Sequence, residues 1–472
     1  MSPRRRMASV SVASAAALVF SVAVVAPPAT ADPCTGAAAD AQPTPSQAFR
    51  LPSPSTRAFG PIGHRPAGAN PTAPAPKPGP LKSILNSLMP RSAQVQKQAA
   101  VAPAPTPPVN QQAPAAAPAQ PVPAAAPAQP APPPAPVGPS STSLVGWVTG
   151  PDSPNDTIRH FAITGTDLGI MWDNGDPADD QVLMAFGDTS GYCAIPGHQW
   201  RYNTLLRSSD RSLSNTISVA DGVVNNRYSG SPVWRQGISK QIIDSIKAAP
   251  DEDGIIPTAG ISVGRTQYLD FMSIKSWDNN GAWTTNYAAI AMSQDNGQNW
   301  AVYPGTVRTP GGGNENFQQG AFIRPGDGYI YSFGTPAGRG GAAFLTRVPQ
   351  GFVPDLTKYQ YWNSDQNAWV PNNPAAATPV IPGPIGELSA QYNTYLKQFL
   401  VLYCNGMNDV VARTAPAPQG PWGPEQLLVP SMTMPGGIYA PFLHPWSTGK
   451  ELYFNLSLWS AYNVMLMKTE LP

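Results

Sequence analysis

Two aspartates stand in closely matching surroundings. Asp167 lies in Gly165-Thr166-Asp167-Leu168-Gly169, opening an apolar run that ends at Trp172, and Asp188 lies in Phe186-Gly187-Asp188-Thr189, closing the next run, 182–186. If these runs form an antiparallel hairpin, the start of the first strand and the end of the second meet at one end. The two carboxylates then face each other, and the neighbouring glycines let backbone approach them closely. Such a pair can divide acid and base roles, or supply a nucleophile and an acid. Either Asp alone reads as readily as a turn former beside glycine. Their convergence on one rim is what favours chemistry, with Asp167, deeper toward the axis, as nucleophile or base and Asp188 as acid.

The hairpin that carries them is the first of five similar phrases, each two paired strands and a third, outer strand. The copies run 168–172, 182–186 and 203–209; 259–263, 268–274 and 287–293; 320–323, 329–333 and 342–346; 388–392, 398–403 and 410–413; and 439–443, 451–455 and 462–467. Short strands separated by Gly, Pro and Asn turns, with almost no helical periodicity, indicate an all-β domain of about 330 residues, too large for a simple sandwich. Five repeats suit a five-bladed β-propeller, whose closure protects the sheet edges. The stretch Ser293-Gln-Asp295-Asn-Gly297-Gln-Asn-Trp300 has the form of an Asp-box, a turn between outer propeller strands, in which Asp295 caps and Gly297 takes positive φ.

The hairpin rule places further residues on the rim of Asp167 and Asp188: Lys275 and Trp277, then Asn316, Gln318 and Gln319, then Glu387 and Asn405, then Tyr439 and Trp459. Amides, aromatics and carboxylates around a concave mouth are what a sugar site needs, so Trp277, Asn316, Gln318, Gln319, Glu387, Asn405, Tyr439 and Trp459 are expected substrate contacts. Other acidic positions read differently. Asp173-Asn-Gly-Asp176 with Asp179-Asp180 lacks the ligand spacing of a calcium loop and falls on the opposite rim, as a solvated turn. His444 falls in a turn of the fifth unit, and Glu315 precedes the rim and suits substrate contact. The sequence contains neither a metal-ligand quartet nor a Gly-x-Ser-x-Gly motif, and no metal or cofactor is expected.

Outside the propeller, residues 1–31 have the layout of a secretory signal peptide: Arg4-Arg5-Arg6, an apolar run 15–26, and Ala29-Thr30-Ala31 before Asp32. Pro27-Pro28 cut that run short of the roughly 20 residues a membrane span needs, so the mature chain is expected to be secreted, without an integral membrane segment. Residues 32–140 are rich in Pro, Ala and Gln and read as a disordered tether, reaching about 3.1 Å per residue where extended. Within it, 81–89 has helical apolar spacing and suits a transient helix. Residues 141–472 form the propeller. The insertion 210–254, with Trp234 and a helix-like stretch 238–249, is expected to reshape the mouth. A net charge of +1 gives no footprint for nucleic acid. Of three cysteines, Cys193 and Cys404 lie in the folded part, and whether they pair is open from sequence.

The stretches Thr166-Asp167-Leu168-Gly169, Phe186-Gly187-Asp188-Thr189, Tyr439-Ala-Pro-Phe-Leu-His444-Pro445 and Leu458-Trp459 resemble the family catalogued as domain of unknown function 4185. The resemblance covers about residues 145 to 471 and is specific in the first and last units. It implies endo-D-arabinanase activity on arabinogalactan or lipoarabinomannan of the cell wall, with the two acidic positions on Asp167 and Asp188. Two other readings stay open: a carbohydrate-binding propeller without catalysis, and a sialidase-like hydrolase. The second requires an arginine cluster, and the arginines fall mostly outside the expected rim.

Overall fold

The structure, a computed structural model, describes residues 31–51, 76–77, 141–277 and 282–472. Residues 1–30 of the expected signal peptide and the stretch 81–89 lie outside the described residues. The first strand, β1 (Ser141–Trp147), precedes the blades. Blade one is β2 (Leu168–Asp173), β3 (Val182–Phe186) and β4 (Thr204–Ser208), followed by a small hairpin of β5 (Val233–Arg235) and β6 (Ile238–Ser239). Blade two is β7 (Gly254–Val263), β8 (Thr266–Trp277), β9 (Trp283–Ser293) and β10 (Ala301–Val302). Blade three is β11 (Gln319–Ile323), β12 (Tyr329–Thr335), β13 (Gly341–Pro349), β14 (Gln360–Asn363) and β15 (Ala368–Pro371), with β16 (Ile381–Ile385) also on β13. Blade four is β17 (Leu388–Asn393), β18 (Gln398–Cys404), β19 (Val410–Ala415) and β20 (Gln426–Val429). Blade five is β21 (Ile438–Leu443), β22 (Glu451–Leu458) and β23 (Asn463–Glu470), and β1 completes it as the outer strand.

Each of the five phrases is therefore one blade, and the fold is a five-bladed β-propeller. Its ring closes: inner strands β2, β7, β11, β17 and β21 pack in that order, and β21 packs back on β2. Because blades cover both faces of one another, the middle strands are apolar on both sides, as in Val182-Leu-Met-Ala-Phe186, instead of alternating. Pairing β1 with β23 from Ser141↔Glu470 to Trp147↔Met465 joins the two ends of the domain within one sheet. The Asp-box forms between β9 and β10. Asp295 accepts from the Ser293 hydroxyl (2.8 Å) and the Asn299 N–H (2.9 Å), while Gly297 takes φ +74°.

Two expectations are corrected, and one question left open by the sequence is answered. Residues 238–249 form no helix: after β6, Asn203 Oδ1 takes the N–H groups of Ile242 (3.0 Å) and Ile243 (2.8 Å), and its amide donates to Ile243 O (3.1 Å). With those donors committed to a side chain, Ile242 and Ile243 enter the core as an irregular segment. Cys193 pairs with Cys34, not Cys404, at a Cα separation of 5.7 Å. Cys404 is free and buried in β18. Finally, residues 31–51, placed by composition in the tether, pack on the domain. Gln47 is buried, donating to Arg159 O (2.8 Å) and Gly237 O (3.0 Å) and accepting from the Tyr192 hydroxyl (3.0 Å). One disulfide and one well-placed glutamine dock a segment with too little apolar content to bury itself. Among the described residues, no helix is long and apolar enough to cross a membrane.

Candidate active site

At the mouth end of the ring, a cleft is lined by residues from all five blades, among them Asp167, Asp188, Thr258, Gln319, Glu387 and Tyr439. The backbone of blade one sets Asp167 with some precision. Leu168 and Gly169 both take positive φ (+69° and +74°), and the strand bulges between Leu168 and Ile170. A leucine in that region is strained, and strain of this kind persists only where surroundings impose it. Here Ser457 Oγ accepts from the Leu168 N–H (2.8 Å), and Asn455 donates to Gly169 O (2.8 Å). Inner strands β7 and β21 also bulge beside the cleft, between Pro257 and Ala259 and between Tyr439 and Phe442. Bulges re-aim side chains, and three blades use one where they meet the cleft.

Gly187 admits the pair. A Cβ there would come within 2.4 Å of Asp167 Oδ1, so only glycine lets this carboxylate rest against the strand end that carries Asp188. Asp167 Oδ2 accepts from the Tyr439 hydroxyl at 2.9 Å. Asp188 is 2% exposed and its Oδ1 has no partner. Burial, and then the negative charge of Asp167, hold the Asp188 carboxyl well above the ordinary carboxylate range. Asp167 is raised by burial to about 7, with the Tyr439 hydrogen bond pulling it back, Glu387 pushing it up and Arg339 pulling it down. Both carboxyls therefore hold a proton more tightly than an exposed aspartate does. Across the cleft, Arg339 grips Glu387 with both ends of its fork (3.0 and 2.6 Å). The guanidinium also lies near the rings of Trp283 (5.1 Å) and Tyr439 (5.3 Å).

Residues 152–468 match the profile of a family described as "Domain of unknown function (DUF4185)". The chain belongs to the DUF4185 family. Notoamide biosynthesis cluster protein J' of Aspergillus versicolor is 30% identical over 324 residues, covering 64% of this chain and 83% of that protein. Protein J of the same kind of cluster in Aspergillus sp. (strain MF297-2) is 27% identical over 328 residues, 66% of this chain and 84% of that one. Among solved structures, a putative hydrolase from Bacteroides ovatus aligns with a TM-score of 0.45 at 13% identity, over 67% of this chain and 88% of that one. The catalytic domain of a Coprinopsis cinerea GH62 alpha-L-arabinofuranosidase aligns with a TM-score of 0.38 at 10% identity, over 71% and 97%.

Within this DUF4185 domain, Asp167, Asp188, Trp277, Gln319, Glu387, Tyr439 and Trp459 line one cleft. Asn316, Gln318 and Asn405 do not. Gln318 is consumed by Thr285 (2.6 Å), Arg308 O (3.0 Å) and Asn314 O (2.8 Å), and Asn316 sits in the turn Asn314–Phe317 that precedes it. Asn405 organises the β18–β19 turn, accepting from the N–H groups of Met407 (3.0 Å) and Asp409 (3.1 Å). The rim rule gave the correct end of each strand, but a turn at that end takes its own polar side chains. Glu315 is exposed and accepts from the Gly313 N–H (2.8 Å). His444 is buried in its turn, and burial lowers it to about 4, so it is neutral. Contrary to the expectation that it reshapes the mouth, no residue of the insertion 210–254 lines the cleft, and its Ile242 and Ile243 turn into the core instead.

Arg339 and Trp283 line the cleft without having been expected there. Both had a signal. Trp283 opens the third strand of its blade and pairs with Trp277, and the start of a third strand shares the rim of the second strand's end. Arg339 lies four residues beyond the end of β12, in the loop Pro336–Gly340 on that rim.

Proposed function

We propose that this protein is a secreted glycoside hydrolase, an endo-D-arabinanase that cleaves internal α-D-arabinofuranosyl linkages of cell-wall arabinogalactan or lipoarabinomannan. One observation carries the reaction class: two adjoining, buried carboxyls whose proton affinities are both raised, in a cleft lined by all five blades. Asp188 holds a proton and delivers it to the leaving glycosidic oxygen as the C1–O bond breaks. Asp167, ionised and fixed by Tyr439, meets the oxocarbenium-like carbon as nucleophile, or takes the proton of an attacking water as base. The proton lost by Asp188 is restored when water completes the cycle. The aromatic walls supply apolar faces for sugar rings, and the arabinan specificity rests on the family resemblance in the first and last blades.

The test is incubation of the secreted chain with purified arabinogalactan, with released oligosaccharides separated by chromatography. Wild type is expected to produce internal-cleavage oligomers, and Asp167→Asn and Asp188→Asn each to lose about 10³-fold or more in rate. Tight binding of the polymer by wild type with no products would leave a binding propeller in place of an enzyme. The sialidase-like alternative has less support, since the single cleft-lining arginine among the described residues, Arg339, is already neutralised by Glu387.

A further inference from the structure

Several tryptophans elsewhere in this fold find acceptors for their indole N–H groups. Trp172 donates to Gln267 Oε1 (2.9 Å), Trp300 to Gly297 O (3.0 Å), and Trp422 to Pro418 O (3.2 Å). Among the described residues, three indole Nε1 atoms are both buried and unpartnered, those of Trp277, Trp283 and Trp459. All three tryptophans line the cleft of Asp167 and Asp188. Trp283 is 4% exposed and Trp459 is 3% exposed, so these donors are also closed to water.

A buried donor without a partner costs about 1–3 kcal/mol. Three fully enclosed, unpartnered donors gathered around one cleft mark a place where acceptors come from a ligand. The donors are neutral and of one kind. They give a cation nothing to accept, and they give an anion no countercharge, since the Arg339 guanidinium is bound to Glu387 and two further carboxyls lie close by. The chemistry left is an uncharged ring rich in acceptor oxygens. Trp277 and Trp283 pack edge to tilted face, with centroids 5.8 Å apart, on the blade-two side, and Trp459 packs on Tyr439 at 6.2 Å on the blade-five side.

We propose that Trp277, Trp283 and Trp459 form a donor triad that recognises the ring or hydroxyl oxygens of an uncharged glycosyl unit, turning their indole N–H edges toward it on binding. The proposal rests on the glycoside hydrolase reading and adds to it the charge state of the substrate and the residues that select it. Sugars carrying a carboxylate or phosphate at this unit are rejected, because the triad offers no charge to pair with them.

The experiment follows the indole N–H resonances of ¹⁵N-tryptophan-labelled Asp188→Asn protein during titration with neutral arabino-oligosaccharides from partially hydrolysed arabinogalactan. Calorimetry on the same samples measures binding, and single Trp→Phe variants assign the peaks. The resonances of Trp277, Trp283 and Trp459 are expected to move downfield on saturation while those of Trp172 and Trp300 stay in place. In otherwise unmodified enzyme, Trp283→Phe and Trp459→Phe are expected to raise KM about three- to tenfold with kcat within about twofold, the effect of losing one neutral hydrogen bond while keeping an aromatic ring. Calorimetric binding with the three resonances unmoved overturns the triad and leaves the hydrolase reading intact. Absence of binding together with absence of cleavage by wild type overturns both.

Discussion

Asp167 rests directly against Gly187, where a Cβ would come within 2.4 Å of its Oδ1, and that close packing helps bury both carboxyls. With each carboxyl raised, the folded protein holds protons that the unfolded chain gives up near pH 4. The stability they contribute is complete below about pH 4 and is lost as pH rises, through about 7 for Asp167, with Asp188 shifted in the same direction. Asp188→Asn removes a group that pays this cost. Its melting temperature is expected to exceed that of wild type by a few degrees at pH 8, with little or no gain at pH 4; equal gains at both pH values would contradict a raised Asp188. Tyr439→Phe acts on the partner. Without its hydroxyl, Asp167 loses the strongest influence holding its proton affinity down, so the rising limb of the kcat/KM profile is expected to move to higher pH. A limb that stays in place would remove Tyr439 from any control over Asp167. Both aspartates were legible in the sequence because hairpin geometry needs only strand order. The Tyr439 contact, spanning 272 residues, depends on ring closure and had no local signature.

Between blades, glycine marks where sheets touch most closely. Gly260 in β7 faces Trp172 of β2, and a Cβ there would come within 2.1 Å of the indole ring. Gly260→Ala is expected to cost about 1–3 kcal/mol by forcing the ring off its position, measured as a lowered denaturation midpoint with an unchanged m-value. The strands themselves were readable from apolar runs and turns. The bulges at Leu168, Pro257 and Tyr439 were not, since an extra residue in an inner strand is fixed by what the neighbouring blade presents and not by its own sequence. The stretch 238–249 shows the same limit. Its spacing is helical, but Asn203, some 40 residues earlier, claims its backbone donors.

At the scale of the whole molecule, the repeat count and the ring were visible in the sequence, but two joins were not. The fifth blade borrows β1 from the other end of the domain, and Cys193 reaches back to Cys34 across 159 residues. Composition alone cannot show that a Pro/Ala-rich segment is fastened at both ends. The stretch after residue 51 leaves from a docked segment and re-enters the fold at Ser141, so it is a covalently closed loop in place of a leash with one free end. A protease that cuts inside it severs the backbone without separating the pieces. The nicked protein is expected to run as one band on a non-reducing gel and as two after reduction.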